Sequence, residues 1–334
     1  MITLILTILD RLILIAGKHF NEGTIRWEPI NPFINFSTVS ITTTQRYSWA
    51  YLTISCATDV PISTTGRSNA NTNLTCTADC STDRGYSIKP VNILTDCISA
   101  SSSLGMMTSE RSVNITLSTN AHVYLSYMRS AWVGLNYPPQ SGLQWSMTTF
   151  IDLRFRDDCF INTPPVASVV SPQYAIVNTS TQIRIPASDP NAADDVLCRW
   201  SIYTPGVNRR RRSIVEDFIN ESSNTPMRSV PVQFLIYVMP QPFCQKSPVI
   251  MSFVDSTEVL IGIPKSFSIY AMTICDPNDV DIAEFVFTSG IYAMVVGNLM
   301  KSASNSSLSY VNFTWAPQTN QIGLQELCMI VFAE

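Results

Sequence analysis

"TVSITTTQRYSW", residues 38–49, decides the fold class. Val39 and Ile41 alternate with polar neighbours, and the run continues through β-branched and aromatic residues. That pattern suits a pleated, half-buried strand rather than a helix. The same alternation recurs in "SVNITLS" (112–118) and "HVYLSY" (122–127) around a "TNA" turn, and in "LQWSMTTFIDLRF" (143–155). It returns in "TQIRIPAS" (181–188) and "EVLIGIPKSFSIYAM" (258–272), where Val259, Ile261 and Ile263 alternate, then Phe267 and Ile269; "VPVQFLIYVM" (230–239) is the most apolar stretch and has the length of a strand. Runs like these, bounded by Gly, Pro, Asn, Asp and Ser, predict an all-β chain.

Composition agrees. Of 334 residues only 14% are charged, 46% are hydrophobic, and the formal net charge is −4. Uncharged Ser/Thr-rich faces fit sheets better than helices. An acidic balance without a basic face gives no reason to expect nucleic acid as a partner. Proline-rich stretches at 161–172 and 239–250 resist helix and ladder alike and mark boundaries. The predicted segments are therefore 18–160, which holds a cysteine cluster, 163–242 and 244–334.

The last two segments echo one another. Asp189-Pro190-Asn191 precedes Asp194, Asp276-Pro277-Asn278 precedes Asp281, and equivalent landmarks lie 87 residues apart. Trp200 in the first copy falls at the position of Phe287 in the second. Strand, DPN turn, strand at this spacing fits tandem β-sandwich modules.

Three features point to the secretory pathway. Ile2 to Ala16 is almost wholly apolar, interrupted by the charged pair Asp10 and Arg11, too short to span a bilayer and read as a signal peptide over residues 1–17. Cys56, Cys76, Cys80 and Cys97 cluster without the repeated short pairs zinc needs, so disulfides are expected, in any of three connectivities. Five further cysteines are spread out. Glycosylation sequons occur at Asn35, Asn73, Asn114, Asn178, Asn220, Asn305 and Asn312. No other stretch is long enough for a membrane span.

Catalytic motifs are missing from the sequence: no GxSxG, HExxH, P-loop or GxGxxG occurs, and His19 and His122 are the only histidines. Trp27, Trp200 and Trp315 read as core residues, with sugar stacking the alternative for any exposed aromatic. Four consecutive cations, Arg209, Arg210, Arg211 and Arg212, stand before Ser213 and match a convertase cleavage site. A solvated loop and a polyanion patch are the other readings of this run.

The segments carrying "NTPPVA", "SDPN..DD...C.W" and "SVPVQFLIYV", then "VLIGIPKSFSIYA" and "VNFTWAPQTNQIGLQELCMIVFAE", resemble immunoglobulin-like or cadherin-like repeats of large invertebrate extracellular proteins. The first segment, with "GTIRWEP" and "QRYSWAY", resembles a cysteine-containing β-module that precedes such repeats. The resemblance implies Ca²⁺ at module junctions, with Asp189, Asp194, Asp195, Asp276, Asp279 and Asp281 as oxygen ligands and Glu284 as a bidentate addition. The competing reading of each DPN is a plain turn. Against the family's usual module length, 163–242 is short and the chain stops after a penultimate strand. This leads us to expect a truncated or internally deleted member, with Cys198 and Cys328 orphaned. The expected function is extracellular adhesion or recognition of a protein or glycan ligand. A lectin is the alternative, and a secreted enzyme or zymogen a distant third.

Overall fold

In the computed structural model the alternating stretches form strands. The structure describes residues 20–333 except 34–35, 62–72, 83–84, 103, 137–138, 142, 157–158, 168–172, 192–193, 201–212, 219–226, 242–243, 245, 252–257, 290, 292 and 322–326. The expected signal peptide over 1–17 lies outside the described residues. So does the expected processing site: Arg209, Arg210, Arg211 and Arg212 all fall within 201–212, and the described chain resumes at Ser213, the first residue of a strand. Among the described residues the fold is all β apart from 3-10 turns, and no helix is long and apolar enough to cross a membrane.

The chain forms two compact units, residues 1–173 with 182–237, and 174–181 with 238–334. The second begins close to the proline-rich boundary expected at 239–250. The boundary expected at 161–172 falls inside the first unit.

In the first unit the strands are β1 (Phe20–Pro29), β2 (Thr38–Ala50), β3 (Thr75–Ala78), β4 (Asp96–Ser101), β5 (Met106–Ser118) and β6 (His122–Trp132), a short ribbon of β7 (Leu135–Asn136) and β8 (Pro139–Gln140), then β9 (Leu143–Asp152). One antiparallel layer runs β4–β5–β2–β1 and another β3–β6–β9; a single parallel pairing, Phe20 with Trp132, joins them. Because side chains alternate across a strand, odd-numbered residues of β2 point inward: Val39, Ile41, Thr43, Gln45, Tyr47 and Trp49 are all buried. They meet Val123, Leu125 and Tyr127 of β6 and Trp145, Met147 and Ile151 of β9 in one core.

Phe20 stacks on Trp145 at 4.2 Å between centroids and lies edge-on to Trp49 at 5.2 Å, while Tyr47 and Tyr127 approach to 5.2 Å. Each such pair adds about 1 kcal/mol beyond area burial. Gly23 is required beneath this cluster: a Cβ there would lie 2.9 Å from Tyr47 Cδ1 and 2.9 Å from Met147 Cε.

The middle segment contributes β10 (Val166–Ala167), β11 (Gln173–Ile176), β12 (Ala187–Ser188), β13 (Asp195–Trp200), β14 (Ser213–Phe218), β15 (Arg228–Val232) and β16 (Ile236–Met239). β10 pairs β12, β11 pairs β16, and β13–β14–β15 form a small sheet. β15 is fastened to the first sandwich. Arg228 is bonded to the Asp152 carboxylate at 3.1 Å and carbonyl at 2.7 Å, and Gln233 donates to Ser146 O at 2.8 Å.

The second unit holds β17 (Val249–Met251), β18 (Lys265–Met272), β19 (Ile282–Ser289), β20 (Val295–Val296), β21 (Met300–Lys301), β22 (Leu308–Trp315) and β23 (Cys328–Ala333). β17–β18–β22 with β20 and β21 forms one layer and β19–β23 another. Phe267, Ile269 and Ala271 of β18 and Val311 and Phe313 of β22 pack against Phe285 and Phe287.

Two expected strands are shorter than read. Residues 181–188 alternate in burial, yet only Ala187 and Ser188 join a ladder. Residues 259–264 are not strand: Gly262 takes a positive φ of 73°, and Ile261 and Ile263 are exposed. "VPVQFLIYVM" divides into the ends of two strands, β15 and β16.

Candidate functional site

Both DPN motifs fold as side-chain-closed turns. Asn191 N donates to Asp189 Oδ1 at 2.6 Å, and Asn278 N to Asp276 Oδ1 at 3.0 Å, the arrangement by which Asp mimics a backbone turn. Two of their other acids, Asp194 and Asp281, are paired with cations of the protein itself. Asp194 accepts from Arg156 Nη1 at 2.6 Å, Asp281 pairs with Lys301, and the Asp279 amide donates to Asp276 O at 3.0 Å. Asp195 lies on β13 opposite Phe218, and Glu284 on β19 opposite Phe332. Among the described residues no group of three or more His, Cys, Asp or Glu is arranged to hold a metal ion. The first turn serves instead as a clasp: Asn191 Oδ1 accepts from Thr163 N at 3.1 Å, and Arg156 also reaches Asn162 Oδ1 at 2.7 Å.

The cysteine cluster resolves into Cys56–Cys97 and Cys76–Cys80, and a third bond joins Cys244 to Cys275. Cys198 carries a free thiol. The sequence signal for Cys244–Cys275 was weak, because 31 residues separate the pair and neither belongs to the cluster. Burial pushes the Cys198 thiol up from its ordinary value, away from reactive thiolate.

Around Cys97 the loop from β2 is held by charge as well. Arg111 donates to both Asp96 oxygens, at 3.0 and 2.6 Å, and to Asp59 at 2.6 Å. These hydrogen bonds hold the Asp96 carboxyl below its usual range, with burial opposing them. Asp152 behaves similarly: burial works to raise it, but hydrogen bonds from Arg154 and the charge of Arg228 outweigh that and hold it low. Burial raises Tyr47 well above the ordinary phenol value, so it stays a neutral donor to Gln45 Oε1 at 2.6 Å.

The tryptophans sort by burial. Trp27, Trp49, Trp145 and Trp315 are buried. Among the exposed large side chains are three where β1 turns into β2: Ile30 is 54% exposed, Phe33 72% and Phe36 69%. This turn is anchored on both sides. Ile30 N donates to Ser40 O at 3.0 Å, Ile161 N to Pro32 O at 2.9 Å, and the Thr119 hydroxyl to Phe36 O. Phe33 leans on Phe160 at 6.0 Å, and Arg156 covers the other ring at 4.7 Å. Composition gave no warning of this patch; only the density of Phe and Ile in "EPINPFINF" (28–36) could have.

Of the sequon asparagines, Asn114, Asn178, Asn305 and Asn312 are exposed and Asn73 is half-buried, while Asn35 and Asn220 lie outside the described residues. Asn114 and Asn312 occupy matching places on the outer faces of their sheets. Thr42 Oγ1 donates to Asn114 Oδ1 at 3.0 Å, and Ser268 Oγ to Asn312 Oδ1 at 2.6 Å.

The fold and these features define a disulfide-bonded, all-β protein of sandwich-like sheets. No family model matches the chain, and no curated protein or solved structure is similar to it.

Proposed function

We propose that this is a non-enzymatic extracellular protein of adhesion or recognition, and that the β1–β2 turn is its contact surface. The observation that carries the reading is the exposure of Ile30, Phe33 and Phe36 together on a turn whose backbone is hydrogen-bonded from both sides. Exposed apolar clusters on folded domains mark sites of interaction. A pre-anchored loop forfeits little entropy on binding. Three disulfides support an oxidising compartment. Kinship to immunoglobulin-like or cadherin-like repeats belongs to this proposal and rests on the sequence resemblance. Convertase cleavage after Arg212 belongs to it too, and rests on the run from Arg209 to Arg212 alone.

One observation favours the lectin reading. Phe33 and Phe36 present aromatic rings to solvent, and such rings stack on sugars as readily as on protein. The test is binding of secreted protein to cell monolayers, matrix proteins and a glycan array, comparing wild type with Phe33→Ser/Phe36→Ser. Adhesion should fall by about thirtyfold or more, the scale of losing a hot spot. Binding confined to glycans would select the lectin. Undiminished binding by the double variant, or turnover of a generic hydrolase substrate panel, would overturn the proposal.

A further inference from the structure

Asn114, Thr42 and Glu28 form one row across β5, β2 and β1, and Ser112, Thr44 and Arg26 form the next. Over these rows the chain folds back, so that Arg26, Glu28, Thr42 and Thr44 share a crevice with Thr163 and the Pro164–Val166 stretch. One wall is polar, with a guanidinium, a carboxylate and hydroxyls; the other is the apolar surface of two prolines and a valine. The enclosed volume is about 10 Å³, room for about one water, and the whole recess is about 260 Å³, open to solvent. That is below the ~300 Å³ at which pockets begin to bury a free small molecule. An occupant tethered beside it does not need such burial, because a short tether supplies an effective concentration in the millimolar range.

We infer that the first sugars of an N-linked glycan carried by Asn114 lie across the open mouth of this recess, against both of its walls. Asn114 is exposed, its side chain touches Thr42, and Thr42 lines the recess. Two strand spacings, about 10 Å in all, separate Asn114 from Glu28, a span that two N-acetylglucosamine units cover. Their hydroxyls and acetamido oxygens match Arg26, Glu28, Thr44 and Thr163, and their apolar faces and acetyl methyls match Pro164, Pro165 and Val166. In the transfer, the Asn114 amide nitrogen forms a bond to the sugar's anomeric carbon. The carbon–oxygen bond to a lipid-diphosphate donor breaks, the diphosphate leaves, and the amide proton goes to an enzymic base. The glycan then acts as an intramolecular strut that pins the 163–166 stretch to the sheet and covers this outer face.

The inference rests on the extracellular reading. The test is site-resolved glycopeptide analysis of the full chain from a secreting cell, with timed release of glycans from native protein by a peptide-N-glycosidase. Asn114 should be occupied, and its glycan should be released about tenfold or more slowly than that of Asn305, a difference that disappears on denaturation. In Asn114→Gln, amide hydrogen exchange across 163–167 should quicken; in Asn305→Gln it should not. An Asn114 without glycan while Asn305 and Asn312 carry theirs, or equal release from Asn114 and Asn305, overturns the strut alone. Absence of glycan from every sequon together with reduced cysteines overturns the extracellular reading as well.

Discussion

Arg156 Nη1 lies 2.6 Å from the Asp194 carboxylate, with side-chain exposures of only 15% and 2%. The acid that sequence spacing offers to calcium is thus paired with a cation already in the protein. Removing one member of a buried pair leaves the other uncompensated, at a cost of roughly 3 kcal/mol. Arg156→Ala and Asp194→Asn should each lower stability by about that amount in chemical denaturation. Calcium or chelator should leave the wild-type midpoint in place, and a clear calcium-dependent rise would return Asp194 to the role of ligand.

Stability should fall on acidification with a defined origin. Asp96 and Asp152 are both held low in the folded state. A depressed folded value contributes stability above the unfolded value, about 3.9, and loses it as pH drops through the folded one. The melting temperature should therefore decline below about pH 4. Asp152→Asn should start less stable at neutral pH and show a flatter decline; parallel curves would show that Asp152 carries none of the dependence.

Gly23→Ala tests the packing beneath the aromatic cluster. The added methyl meets Tyr47 and Met147, and overfilling a tight core costs about 1–3 kcal/mol. Calorimetry of the variant should show that loss. A neutral Gly23→Ala would mean that the two layers separate at little cost.

The disulfides should differ in worth by the loops they close. With its cysteines 41 positions apart, Cys56–Cys97 should contribute about 4 kcal/mol by loop-closure entropy, and Cys76–Cys80, whose cysteines are 4 apart, about 2 kcal/mol. Paired Cys→Ala variants, unfolded in urea, check the ranking, and the reverse order would contradict it.

Local features were the legible ones. Val39 to Trp49 announced a strand because side-chain alternation needs no partner to be visible, and the DPN motifs announced turns because Asp and Asn close them within two residues. Other features depend on approach in space. Arg156 meets Asp194 across 38 residues, Cys244 meets Cys275 across 31, and Trp27 donates to Phe150 O across 123. The apolar alternation at Val259, Ile261 and Ile263 misled because Gly262 turns the chain where a strand was expected. The exposure of Phe33 and Phe36 had no signal in residue type, and only their place on a turn puts them outside.

The most direct test of the extracellular account is the mass of the secreted chain, alkylated under denaturing conditions before and after reduction and with and without deglycosylation. The account predicts glycan mass, loss of the first 17 or so residues, and labelling of Cys198 before reduction, with Cys56, Cys76, Cys80, Cys97, Cys244 and Cys275 labelled only afterwards. A chain with an intact N-terminus, no glycan, and all six of those cysteines alkylated before reduction would contradict it.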